Sequence, residues 1–366
     1  MNIINYIKKN GDISFEEKEI NEVDKLIFSL LSYVTYDGVV SNNEKNKKTI
    51  KEVSDEYFKT HTDDKQKRLM IAVKVGKKVL KEISEKKRFQ NLYLYNDIYL
   101  GNEYSQFSAL TIEISPGLMY ISFEGTDQLM SGWEEDFKMS YHFPVTAQIE
   151  AIKYLNKRFT LGTAQLIIGG HSKGGNLALV SSMYSNYFVR RRIIEIISYD
   201  GPGLRKEQIN SKRYTDIKSK YHLIIPNYSL VGLFLSHENN YTVVKTNKIG
   251  PLSHNSSSWQ IVDDKFMKTE LSSYSKIFEK GISNWLDKYN DLQREKFVKE
   301  VFKIFKQNNI TELTQITADY KLIRKMIKDA NQIDKYAGDM LKELINVLIK
   351  CNKDTVSNFF DKNKVI

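Results

Sequence analysis

An apolar run, Ala164 to Ile168, stops at two glycines and leads directly into Gly170-His171-Ser172-Lys173-Gly174-Gly175-Asn176. A short aliphatic run closed by glycine predicts a buried strand, and the small and apolar residues from Asn176 to Asn186 predict a helix. Between them, Gly170 to Gly174 fits the G-x-S-x-G pattern of a nucleophile elbow, a strained strand-to-helix turn that lifts the serine hydroxyl clear of a sheet. Glycines two residues either side of Ser172 relieve the crowding of such a turn. A helix N-terminus beside the serine stabilises developing negative charge. Ser172 is therefore the candidate nucleophile.

The flanking sequence predicts the scaffold that an elbow needs. Short β-rich runs at Leu92 to Tyr95, Phe107 to Ile114 and Leu118 to Phe123 are separated by turn residues and suggest antiparallel strands. A helical stretch from about Thr146 to Arg158 follows. Further strands are predicted at Ile193 to Tyr199, Tyr221 to Ile225 and Tyr241 to Lys245. Alternating strands and helices imply an α/β fold with a mostly parallel central sheet covered on both faces. Helices are expected before the sheet, at residues 15–35 and from Asp64 to Lys86. Beyond Asp264 the strand signals stop. Phe297, Val301, Ile304 and Phe305 keep helical spacing, as do Leu322, Ile323, Met326, Ile327, Ile333, Met340, Leu341, Leu344, Ile345 and Leu348. The expected division is a hydrolase domain over 1–264 and a basic helical region over 265–366.

A serine nucleophile needs a base, and in hydrolases of this type the histidine follows it in sequence on a loop after the last strands. Among six histidines, His254 in Gly250-Pro251-Leu252-Ser253-His254-Asn255 has that place, with His237 in reserve. The segment 223–231, where the acid would usually lie, contains no carboxylate. Asp200 ends the strand after the elbow helix, where some α/β hydrolases carry their acid. An Asp before Gly-Pro-Gly is equally suited to organising a turn. Glu238 is a weaker alternative, and a Ser-His dyad assisted by Ser229 or water is a third arrangement. Two backbone N–H groups should hold the oxyanion: that of Lys173, after the nucleophile, and that of Thr126, where a strand ends at Gly125-Thr126.

These residues resemble the class 3 lipase family, whose pattern places Phe-Arg-Gly-Thr or Phe-Arg-Gly-Ser at the oxyanion strand, then a Trp and an Asp, then G-H-S-x-G-G. Here the counterparts are Phe123-Glu124-Gly125-Thr126, Trp133, Asp136 and Gly170 to Gly175. The chain is more similar still to an uncharacterised bacterial lipase-like branch, matched by Gly125-Thr126-Asp127, Gly132-Trp133-Glu134-Glu135-Asp136-Phe137, Gly170 to Asn176 and Ser257-Ser258-Trp259. The resemblance spans about residues 1–262. It implies an α/β-hydrolase fold, a Ser-Asp-His triad and ester substrates, often lipids. It also implies a lid at about Asp127 to Trp133, with Leu129, Met130 and Trp133 as its apolar face. Two positions depart from the family: Glu124 stands for the usual Arg, and Ser229 stands where class 3 lipases carry the acid.

Composition limits the remaining choices. The sole cysteine, Cys351, leaves no intramolecular disulfide, Cys-based zinc site or CxxC pair. No apolar run approaches the roughly 20 residues of a spanning helix, and no signal-peptide pattern opens the chain, so a cytoplasmic location is expected, with specialised export left open. The net charge is +10, with acidic residues interspersed almost everywhere. From Lys265 onward 20 Lys and Arg face 14 Asp and Glu, a net +6. A lysine-rich solvated surface is the expected reading, with peripheral contact with an anionic membrane or a protein partner through the helical tail as the other, and no nucleic-acid binding. The expected activity is hydrolysis of carboxylic esters, lipid or acyl, through an acyl-enzyme without metal or cofactor. The alternative is a weak or inactive hydrolase-fold binding protein.

Overall fold

Side chains alternate between the two faces of a central sheet, and each face has its own set of helices. The computed structural model describes residues 1–61, 71–101, 106–126, 130–238, 240–310, 325, 328 and 334–362. Among these, eight strands pair in chain order: β1 (Lys48–Thr49), β2 (Tyr93–Gly101), β3 (Gln106–Ser115), β4 (Leu118–Phe123), β5 (Gln165–His171), β6 (Ile193–Tyr199), β7 (Tyr221–Pro226) and β8 (Thr242–Val244). The first four run antiparallel, and β4 to β8 are parallel. This is the predicted α/β-hydrolase architecture.

On one face, Leu110, Ile112, Tyr120, Ile167 and Ile197 pack with the N-terminal helices α1 (Ile3–Asn10), α2 (Glu22–Leu31), α3 (Ile50–Thr60) and α4 (Ile71–Ile83). Neither α1 nor α3 was predicted. The stretch 15–35 narrows to α2 because Asn21 and Asp24 close a reciprocal capping box at its start and Ser32 ends it. The predicted helix from Asp64 stops at Ile83, and residues 64–70 lie outside the described residues. These helices are tied down by Arg88, whose guanidinium grips both carboxylate oxygens of buried Asp24 at 3.1 and 2.5 Å and donates to the carbonyls of Ile13, Ser14, Lys18 and Glu19.

On the opposite face, Ile121, Phe123, Leu166, Ile168 and Ile196 meet α6 (Thr146–Phe159) and α7 (Lys173–Tyr184), which follow α5 (Met130–Lys138). Helix α7 begins three residues before the predicted start. Gly174 and Gly175 are poor helix formers, but every residue from Lys173 to Met183 is buried, and packing outweighs propensity. Three short helices connect the later strands: α8 (Tyr187–Arg190), α9 (Lys206–Ile209) and α10 (Lys212–Thr215).

After β8, the two-residue strands β9 (Ile261–Val262) and β10 (Lys265–Phe266) pair, and Lys268 bridges to Val244. Among the described residues the C-terminal helices are α11 (Ser273–Lys288), α12 (Asp291–Gln307) and α13 (Lys335–Lys362). Phe297, Val301, Ile304, Phe305, Met340 and Leu341, whose spacing predicts helices, form their common core, whereas Leu348 is exposed. Leu322, Ile323, Met326, Ile327 and Ile333 lie outside the described residues. This third core also receives Trp133 and Phe137 of α5.

Candidate active site

Strand β5 delivers Ser172 to the C-terminal edge of the parallel sheet. Its backbone has φ 60° and ψ −135°, a left-handed conformation that is costly for a residue with a side chain and persists only when its surroundings enforce it. The enforcement is visible. The Ser172 N–H donates to the carbonyl of Tyr199 at 2.9 Å, and the Gly175 N–H donates to the carbonyl of Ser172 at 2.9 Å. Gly174 must lack a side chain, because a Cβ there would come within 2.1 Å of the Phe123 carbonyl oxygen. Lys173, as the first residue of α7, has an N–H with no acceptor inside the helix.

Strand β6 delivers Asp200 in the same way. Asp200 is fully buried, has φ 52°, and receives the Nδ1 hydrogen of His254 on Oδ2 at 2.7 Å. Its other oxygen accepts from the Ser229 hydroxyl at 2.5 Å and from the Gly232 N–H at 3.1 Å. A carboxylate with three donors has its orientation set, and its oxygens accept, so His254 is held by the hydrogen on its Nδ1, and Nε2 takes no part in this bond. His254 ends a 3₁₀ turn, Gly250–His254, in place of the predicted loop.

The residue before the serine also reaches His254. The His171 ring lies 4.5 Å from the His254 ring, and its Nε2 donates to the His254 carbonyl oxygen at 2.9 Å. That carbonyl can only accept, so His171 carries its hydrogen on Nε2, and its Nδ1 accepts from the Tyr33 hydroxyl at 3.0 Å. Burial, and then the proximity of His254, push the His171 pKa down to about 3, so its ring stays neutral. Burial, followed by the charge of Glu124, raises Tyr33 and keeps it a donor.

The end of β4 approaches from the side. A Cβ on Gly125 would lie 2.9 Å from that of Ser172, so this glycine lets the chain pass beside the serine. The Thr126 hydroxyl donates to Oδ2 of Asp136 on α5 at 2.7 Å. Asp136 is pushed up to about 7 by burial, with the charge of Lys173 and the Thr126 bond pulling the other way. Glu124 is buried and donates its N–H to the Ser108 carbonyl. Of the expected lid, 127–129 lie outside the described residues, while Trp133 packs against the C-terminal helices as part of α5.

A family model described as Mbeg1-like matches residues 83–303. The chain belongs to the Mbeg1-like family. The Mbeg1-like region starts at the end of α4 and ends within α12, later at both ends than the span that the class 3 resemblance suggested. It holds Thr126, Ser172, Lys173, Asp200 and His254, whereas Tyr33 precedes it. No curated protein matches the chain. Among solved structures, one titled "Crystal structure of M37 lipase" is similar at 17% identity and a TM-score of 0.37, over 58% of this chain and 70% of that one.

In this Mbeg1-like chain the other candidates lie in different environments. His237 stacks on Tyr241 at 5.1 Å, lies 3.7 Å from Glu279 and is pushed down to about 4 by burial. Glu238 pairs with Lys218 at 3.1 Å, and the Ser229 hydroxyl points at Asp200. Tyr33 and His171 escaped sequence reasoning as members of the network, since Tyr33 is 138 residues from its partner. Glu135 escaped too, although a lysine inside a buried elbow calls for a nearby carboxylate. Among the described residues no His, Cys, Asp and Glu cluster could hold a metal, and no helix is long and apolar enough to cross a membrane.

Proposed function

We propose that this protein is a serine hydrolase that cleaves carboxylic esters of acyl or lipid type. The observation that carries the reading is the 2.7 Å bond between His254 Nδ1 and Asp200 Oδ2, beside a serine on a left-handed strand-to-helix turn. His254 Nε2 takes the proton from Ser172 as its Oγ attacks the ester carbonyl, and Asp200 stabilises the imidazolium that results. The N–H groups of Thr126 and Lys173 receive the oxyanion. His254 returns the proton to the leaving alcohol, and water, deprotonated by the same ring, releases the acid and restores Ser172.

Two exposed apolar residues in the turn region of His254 favour acyl or lipid esters: Ile249 is 51% and Leu252 54% exposed. Such residues suit contact with an acyl chain or a lipid surface. The test is hydrolysis of short p-nitrophenyl esters and phospholipids by wild type and Ser172→Ala, with fluorophosphonate labelling of both. Turnover and labelling in wild type alone support the reading; equal activity in both proteins sinks it.

A further inference from the structure

The elbow lysine forms an ion pair that the hydrolase reading leaves unexplained. Lys173 and Glu135 have side chains only 1% and 2% exposed, and Lys173 Nζ donates to Glu135 Oε2 at 3.2 Å and to the Gln106 carbonyl at 3.1 Å. The other carboxylate oxygen of Glu135 accepts the Ala147 N–H at 3.0 Å. Taking two charges out of water costs about what their attraction returns, so a pair this deep contributes little net stability compared with apolar side chains of the same size. Its distinctive property is geometric: the pair has one register, and it joins α5 to the first residue of α7.

The next residue along α5 makes the matching connection. Asp136 holds the Thr126 hydroxyl, so consecutive carboxylates of one helical turn grip the two segments assigned to the oxyanion. Helix α5 is itself seated from the far side, where Phe137 meets Phe302 of α12 with ring centroids 5.9 Å apart. We infer that Glu135 is a positioning residue that acts through Lys173, setting the first turn of α7, and with it the Lys173 N–H, at a fixed separation from Thr126. This rests on the hydrolase reading. A loosened pair would leave substrate binding intact and weaken the hold on the oxyanion.

The experiment uses the full chain with Glu135→Gln/Lys173→Met, which removes both charges while leaving an amide oxygen for the Ala147 N–H, and Glu135→Asp, which keeps the charge but retracts it. Ester kinetics, melting temperature and inhibition by an acyl trifluoromethyl ketone, which forms a tetrahedral oxyanion on serine, are measured for each. The expected result for the double variant is a melting temperature near wild type, kcat lowered about 10- to 100-fold, KM changed by less than about threefold, and ketone affinity lowered in step with kcat. Glu135→Asp should fall between it and wild type on both measures. Wild-type kcat in either folded variant, or a loss of kcat with ketone affinity unchanged, overturns the positioning role. A wild-type chain that neither turns over ester nor takes up fluorophosphonate overturns the hydrolase reading and this inference with it.

Discussion

Ser229 donates its hydroxyl hydrogen to Asp200 Oδ1 at 2.5 Å, while Oδ2 of the same carboxylate receives His254. The serine follows β7, where the class 3 resemblance places the acid, and the carboxylate follows β6. The ends of these two strands are neighbours: they run parallel with Tyr199 opposite Ile224, and the Asp200 N–H donates to the Ile224 carbonyl at 2.8 Å. The carboxylate that meets His254 thus stands at the end of β6, and Ser229, at the neighbouring strand end, is one of its donors.

This arrangement separates orientation from support. Asp200→Asn keeps the shape but presents an amide to Nδ1 and favours the wrong imidazole tautomer, so kcat should fall about 10³- to 10⁴-fold. Ser229→Ala removes one donor from a buried carboxylate that keeps His254 and Gly232, and should cost about 1–3 kcal/mol of stability. Its kcat should fall far less than that of Asp200→Asn. Steady-state ester kinetics with urea unfolding check both, and a fully active Asp200→Asn enzyme would remove Asp200 from the mechanism.

The two downstream histidines give a second contrast. His254→Ala should lower kcat by about 10²-fold or more, as expected for loss of a general base. His237 stacks on Tyr241 near Glu279, and His237→Ala should retain ester hydrolysis within a few-fold while lowering the melting temperature. The reverse pattern in parallel assays would transfer the base to His237.

A pH effect on stability should come from Asp97. Burial, and then the charge of Asp37, push its carboxyl up to about 7 from 3.8, so the folded protein binds that proton more tightly than the unfolded chain does. Stability from this group is present at low pH and is lost as pH rises from about 4 through about 7. Asp97→Asn should therefore raise the melting temperature by several degrees at pH 8, and the advantage should shrink toward pH 4. Thermal melts across that range check it, and a gain that grows at low pH would contradict the assigned direction.

The strand, strained turn and helix around Ser172 are legible in the sequence because everything that defines them is local. An aliphatic run, two glycines, a serine and a small-residue helix lie within about twenty positions, and the apolar run Ile193 to Tyr199 matches the bounds of β6. Thr126, Lys173, Asp200 and His254 could be nominated because chain order in this topology restricts where each partner can fall. Helices α1, α3 and α5 were missed, and α1 and α3 owe much to the capping of Asn2 and Thr49 and to burial against the sheet.

Only the tertiary structure decided between Asp200 as a turn residue and Asp200 as the partner of His254. The two are 54 positions apart, and composition is silent on which strand ends lie side by side. The same holds for Tyr33 with His171 and for Glu135 with Lys173, 138 and 38 positions apart. Local pattern determines that a strained serine will stand at the end of a buried strand. Which groups face it depends on the pairing of parallel strands and on helices closing over them, and those contacts form through space.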